Sequence, residues 1–285
     1  MALPAQENGW DLVIEPPRGW LALHLRDLWR YRDLAGRCVR RDFVATYKQT
    51  ILGPLWHVIQ PLLTTLMFTV VFGRIAGLPT DGVPQFVFYM AGTTVWNYFA
   101  QCLTRTSNTF IANAGIFGKV YFPRMVVPVS VVISQLIAFA IQFGFFLAVY
   151  GLFWARGAPV QPNWAILLLP VLLAMMAGLG LGFGVIISSL TTKYRDLQVL
   201  VQFGVQLWMY ATPVIYPLST MGEKYRWLIV ANPMTAIVET FRYAFFGTGV
   251  FSWAYLGYSA GFMVLLLLAG MAVFNRVERT FMDTV

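Results

Sequence analysis

Charged residues vanish from six long stretches of the chain, residues 49–73, 82–104, 125–155, 157–192, 197–222 and 243–275. Each is longer than the roughly 20 residues with which an α-helix crosses about 30 Å of hydrocarbon. An ionised side chain at that depth costs about 2.5–3.5 kcal/mol, which is why its absence marks a span. The pattern therefore predicts an all-α integral membrane protein with six transmembrane helices. Two shorter charge-free stretches, 106–118 and 227–238, fall below the length of a span and read as interfacial or re-entrant pieces. The second predicts a re-entrant helical hairpin between spans 5 and 6, broken at Asn232-Pro233.

Ahead of span 1 the period changes. From Gly19, Leu21, Leu25, Leu28 and Trp29 share one helical face while Arg26, Asp27, Arg30, Asp33 and Arg37 share the other, as a helix lying in the membrane surface requires. A second run, Phe43, Tyr47 and Ile51, leads through Gly53-Pro54 into span 1. The expected organisation is a loosely ordered lead-in at 1–18, an amphipathic interface helix at 19–50 and a six-span domain at 51–285.

Within the spans, polar residues fall in stripes. Thr94, Asn97, Gln101, Thr104 and Asn108 recur at steps of three and four along span 2, and Gln198, Gln202 and Gln206 do so along span 5. Such stripes either bond neighbouring helices, at about 0.6 kcal/mol per pair, or line a hydrated path. Span 4 carries Gly178, Gly180, Gly182 and Gly184, two overlapping G-x-x-x-G pairs that suit close helix packing.

Composition agrees with the pattern and adds an orientation. Of 285 residues, 58% are hydrophobic and 11% charged, against roughly 25% charged in an ordinary soluble domain. Fifteen of the 20 Lys and Arg fall on the side that holds both termini, eight of them between Arg18 and Lys48, so both termini are expected in the cytoplasm. The net charge of +8 is then a topology and headgroup signal, with no nucleic acid implied. The first 50 residues show no apolar core followed by a small-residue cleavage site, so no signal peptide is expected. Cys38 and Cys102 map to the cytoplasmic side, where a structural disulfide is not expected.

Much chemistry is missing. The string GIFGK at residues 115–119 lacks the spacing of a phosphate-binding loop, so the chain is not expected to hydrolyse ATP itself. His24 and His57 have no carboxylate at ligand spacing, which argues against a metal site. The six windows hold no carboxylate, the usual mark of an ion-coupled transporter, and no internal repeat accompanies them. Energy for any transport must come from elsewhere.

The string RRDFVATYKQTILGPLWHVIQP at residues 40–61 resembles the entry into span 1 of ABC-2 type exporter permeases of the O-antigen, teichoic-acid and capsule polysaccharide systems. KVYFPRMVVP (119–128), KYRDL (193–197), TPVIYP (212–217) and NPMTAIVETFR (232–242) follow in the expected order. The likeness covers roughly residues 35–280. It implies a homodimeric permease with two copies of a separate cytoplasmic ABC ATPase, which would bind the ATP and Mg; this chain would need no cofactor. It also implies a lipid-diphosphate-linked polysaccharide as cargo, carried across a bacterial inner membrane. Another cargo (teichoic acid, lipid or drug) is the alternative within the family; an ion-coupled transporter or channel lies outside it.

On that reading the segment 110–122 is the expected coupling element to the ATPase, with Phe110, Ile116, Phe117, Lys119 and Phe122 as its contact residues. A sugar chain is best guided by aromatic faces and neutral hydrogen-bonding groups. Thr94, Trp96, Asn97, Gln101, Gln198, Gln202, Gln206, Trp208 and Tyr210 are the candidates, with Tyr89 and Tyr216 nearer the span ends. Arg40, Arg41 and Lys48 sit where a lipid's phosphates lie, and Arg can hold two phosphate oxygens at once. In the hairpin, Glu239 and Arg242 at i, i+3 are placed to pair.

Overall fold

A computed structural model describes residues 29–48, 50–117, 122–191, 194 and 196–284. The expected lead-in, the first face of the amphipathic helix (Leu21, Leu25, Leu28) and Lys119 lie outside these residues, as does the side chain of Ile116. Among the described residues the fold is all helix. Its α-helices are α1 (Arg32–Tyr47), α2 (Trp56–Phe68), α3 (Gln85–Thr106), α4 (Thr109–Phe117), α5 (Val126–Ala155), α6 (Leu169–Thr191), α7 (Leu197–Tyr210), α8 (Glu223–Val230), α9 (Pro233–Phe246) and α10 (Trp253–Thr284).

Four stretches are long and apolar enough to cross a membrane: Gly53–Ile75, Val126–Ala155, Trp164–Thr191 and Trp253–Val277. The first is a composite, in which a short 3-10 turn at Gly53–Leu55 enters α2 and a π-helical stretch, Thr69–Ile75, leaves it. α3 is also long enough at 22 residues, but its polar stripe lowers its hydropathy.

α3 is the hub. Val87, Tyr89, Ala91, Val95, Phe99 and Cys102 are completely buried in it, and it packs on α2, α5, α6, α7 and α9. The glycines of α6 explain one of those contacts and another beside it. A Cβ on Gly180 or Gly184 would stand 2.5 Å from the Cβ of Cys102 or Thr106 on α3, while one on Gly178 or Gly182 would strike Met263 or Leu266 on α10. Alternate glycines thus let two helices approach the same backbone from opposite sides. A second, smaller core gathers Phe110, Phe117 and Phe122 with Val126, Val127, Val185 and Phe274 on the cytoplasmic side expected for these residues, where Tyr31, Leu34 and Ala35 of the interface segment pack on it. Both cysteines are free and buried, and burial pushes the Cys38 thiol up from its ordinary pKa.

Two window boundaries move. Where residues 197–222 were expected to form span 5, α7 stops at Tyr210 after 14 residues, about 21 Å at 1.5 Å per residue. Pro213 and Pro217 cannot continue a helix, and Thr212–Pro217 runs as a turn that ends in a 3-10 element at Leu218–Thr220. Where span 6 was expected to begin at Tyr243, residues 243–246 complete α9; Gly247 then closes that helix in the left-handed region, at φ 72°, and α10 begins at Trp253. Freedom from charge bounds a window, whereas proline and glycine bound a helix.

Candidate functional site

A polar cleft of about 510 Å³ opens at the junction of six helices. α1 brings Arg41, Asp42 and Tyr47, the segment after α3 brings Asn108, and α5 brings Ser134 and Gln135. His57 of α2, Arg105 of α3, Asn113 of α4 and Gln202 of α7 complete the wall. A smaller cavity of about 80 Å³ shares His57 and Gln135 with it and continues along α3, past Gln101 and Asn97, to Gln142 of α5. Together they form one polar groove running from the interface helix into the span region.

Its chemistry is cationic at the mouth and neutral inside. Arg41 is exposed; its Nη2 lies 2.8 Å from Asp42 Oδ1 and 3.5 Å from Asn113 Oδ1. Arg105 donates from Nε to Gln101 Oε1 at 3.3 Å. The Tyr47 hydroxyl meets His57 Nε2, tying the end of α1 to the start of span 1. Further in, only amides and hydroxyls remain: Gln60, Thr64, Asn97, Gln101, Gln135 and Gln142.

The stripe on α3 therefore divides. Thr94 is buried and bonded, giving its proton to the Met90 carbonyl at 2.7 Å and accepting from Gln142 Nε2 at 3.5 Å. Asn97 and Gln101 line the inner cavity, and Thr104 and Asn108 the outer. On α7, Gln198 donates to Asn108 Oδ1 at 2.6 Å, Gln202 lines the cleft, and Gln206 is exposed outside both cavities. Trp96 is only 2% exposed, and its ring lies 6.2 Å from that of Trp208 in a cluster with Phe99 and Phe183. Neither tryptophan lines a cavity. Tyr210 is exposed, Tyr89 is buried, and Tyr216 donates to the Tyr210 carbonyl.

Of the three basic candidates, Arg41 lines the cleft while Arg40 and Lys48 are exposed beside it. The cleft takes Arg41, Asp42, Phe43, Thr46 and Tyr47 from α1, and Arg40 falls just outside that set. Phe110, Phe117 and Phe122 are buried: Phe110 stacks on Phe274 at 4.8 Å, and Phe117 contacts both Phe110 and Phe122. Among the described positions of α4 the exposed ones are Ala112, which lines the cleft, and Gly115.

The other concentration of polarity surrounds Glu239 and Arg242 of α9, both 1% exposed. Arg242 Nη1 lies 3.3 Å from Glu239 Oε1 and donates to the Tyr216 carbonyl at 3.2 Å, while Nη2 donates to the Val214 carbonyl at 2.6 Å. Glu239 also accepts from the backbone N–H groups of Leu218 and Val250. The guanidinium lies over the Phe88 ring at 3.8 Å. Gly92 makes room, since a Cβ there would stand 2.7 Å from the Val214 oxygen. Asn232 starts α9 by accepting from Met234 N, with Pro233 in the first turn, and donates to Thr212 Oγ1 at 2.7 Å. The pair and the break at Asn232-Pro233 were legible in the sequence; that they grip the turn 212–218 was not.

Sequence reasoning also missed Arg105, His57, Gln135 and Gln142 as groove residues. The two glutamines stand seven apart on span 3, a helical spacing that a search for polar stripes there finds. Arg105 carried only a topology reading.

A polar groove in a helical membrane chain without a nucleotide motif is the layout of a transporter's permease subunit. Residues 34–246 match the ABC-2 type transporter family, and the chain belongs to it. It is 30% identical to the O-antigen export system permease protein RfbA of Klebsiella pneumoniae over 261 residues, covering 88% of this chain and 94% of the relative. A relative with the same description from Myxococcus xanthus is 29% identical, over 92% of this chain and 98% of its own length. The polysialic acid transport protein KpsM of Escherichia coli is 22% identical over 86% of this chain and 93% of its own.

Proposed function

We propose that this chain is the membrane-spanning subunit of an ATP-driven exporter that moves a lipid-diphosphate-linked polysaccharide of the O-antigen type out across the cytoplasmic membrane. It works as a homodimer with two copies of a separate ATPase, which bind the ATP and Mg. The observation that carries the reading is the groove: arginines at its mouth suit a diphosphate, and the amides and hydroxyls behind them suit a sugar chain whose units carry no charge to grip. Near-complete alignment with O-antigen export permeases supports the cargo class.

On this reading α2 with its flanking turns, α3, α5, α6, α7 and α10 supply six spans, both termini are cytoplasmic, and α8 and α9 form the re-entrant hairpin. Arg41 and Arg105 receive the diphosphate, with Arg40 and Lys48 drawing the anionic headgroup toward them along the membrane surface. Asn97, Gln101 and Gln202 face the glycan. The segment 110–122 docks on the ATPase through its outward face, while Phe110, Phe117 and Phe122 anchor it to α5 and α10, so that a push on α4 is delivered to two long helices.

The test is cargo-stimulated ATP hydrolysis by the reconstituted complex. Arg41→Lys, which keeps the charge and loses the two-pronged geometry, is expected to raise the half-saturating concentration of lipid-linked glycan at least fivefold, and Arg40→Lys to leave it within twofold. Equal affinity in wild type and both variants overturns the diphosphate assignment. Failure of lipid-linked glycan to stimulate the wild-type complex overturns the cargo.

A further inference from the structure

An open groove of about 770 Å³ lies between α8 and the first turns of α10, lined by Glu223, Arg226, Trp227, Tyr255 and Tyr258. Among the described residues neither charge has an ion-pair partner. Glu223 and Arg226 stand at i, i+3 on one helical face, spaced to bridge each other, yet no salt bridge joins them, and Arg226 Nε is buried without a hydrogen-bond partner. The aromatic wall is fixed, since the Tyr258 hydroxyl donates to the Ala231 carbonyl at 2.9 Å and so ties α10 to the end of α8. Beside the groove, Tyr225, Trp227 and Leu228 are 58%, 69% and 59% exposed, an apolar face turned outward. The start of α10 carries Trp253, which stacks on Trp164 at 5.9 Å. Tryptophans gathered at the ends of spans mark the depth of lipid headgroups.

We propose that this groove binds the headgroup of a zwitterionic phospholipid with a primary ammonium, its phosphate on Arg226 and its ammonium on Glu223, between the rings of Trp227, Tyr255 and Tyr258. The charges have the right signs for a phosphate and an amine, and at i, i+3 they share one face of α8. Aromatic faces attract a cation, most strongly where water is excluded. The exposed apolar face of α8 then meets the acyl chains. A carboxylate rejects an anionic headgroup, so the site discriminates by charge. The site depends on headgroup depth and not on which cargo is exported or which leaflet faces it.

The permease–ATPase complex, purified in detergent and supplied with equimolar phosphatidylethanolamine and phosphatidylglycerol, is examined by native mass spectrometry. Wild type is expected to retain phosphatidylethanolamine at least fivefold over phosphatidylglycerol. Arg226→Gln should lower the retained lipid at least fivefold, and Glu223→Gln should bring the two lipids within twofold of each other. Equal retention of both lipids by wild type, or wild-type retention by both variants, overturns the proposal. So does quenching of Trp227 fluorescence by soluble oligosaccharide, which identifies a sugar site, or disulfide formation between two copies carrying Trp227→Cys, which identifies a protein interface. Melting temperatures within 2 °C of wild type, expected for an exposed Glu223 and a half-buried Arg226 with no bond to lose at Nε, show that the variants are folded.

Discussion

Arginines occupy two regions of this molecule, and their surroundings differ. Arg242 is buried with a carboxylate, two carbonyls and a ring around its guanidinium. Arg41 is exposed on a cleft, shares one carboxylate with solvent and has only a 3.5 Å contact to a side-chain amide. A charge whose terminal nitrogens are all committed in a buried site holds structure together; one that is exposed and whose Nε and Nη2 bond the next residue's carboxylate, as in Arg41, can exchange that partner for a ligand. The same residue type thus reads as a fastener between α9 and the turn 212–218 in one place and as a receptor in the other. Number and burial of partners separate the two readings, where residue identity does not.

The contrast can be broken most strongly at Arg242. Arg242→Gln leaves Glu239 buried without its partner, and such changes cost about 3–5 kcal/mol. Thermal unfolding in detergent should show a loss of that order, with Glu239→Gln/Arg242→Gln losing less than the single change. A double variant no better than Arg242→Gln would show that the pair is not coupled. Next comes the packing around α6: Gly180→Val forces its side chain against Cys102, and overpacking costs about 1–3 kcal/mol, read by the same melt. Asn232→Ala removes the cap of α9 and the bond to Thr212, for about 1 kcal/mol or slightly more. At the cleft the expectation inverts. Arg41→Gln should alter stability by less than about 0.5 kcal/mol, as an exposed pair allows, while reducing export severalfold. A large stability loss from Arg41→Gln would make the cleft arginine a fastener too.

How much of this was legible follows from what kind of constraint each feature obeys. The four long apolar stretches follow the charge-free windows, two of them overrunning by two residues at Arg74 and Arg276, because burying a charge in lipid is costly at any position, whatever the tertiary arrangement. The end of α7 and the start of α10 were misplaced because hydropathy does not see Pro213, Pro217 or Gly247, which act through the backbone. The Glu239–Arg242 pair followed from local spacing. Its carbonyl partners at Val214 and Tyr216 did not, since these lie 28 and 26 residues away. Arg40 and Arg41 were inseparable in sequence because only the rotation of α1 against α5 decides which faces the cleft. Trp96 and Trp208 had the chemistry of a sugar platform, but their rings pack on each other and on Phe99 and Phe183.

The glycines of α6 carry a mechanical consequence. With α3 seated against one side of that helix and α10 against the other, side chains of both neighbours press directly on the bare α6 backbone, and there is little slack for sliding. These three helices should travel as one plank. Compliance is left to what borders the plank loosely: the π-helical end of span 1 and the short α7, whose Val199, Leu200 and Phe203 project outward. Any widening that admits a bulky passenger is therefore expected as a swing of span 1 and α7 away from a stationary wall.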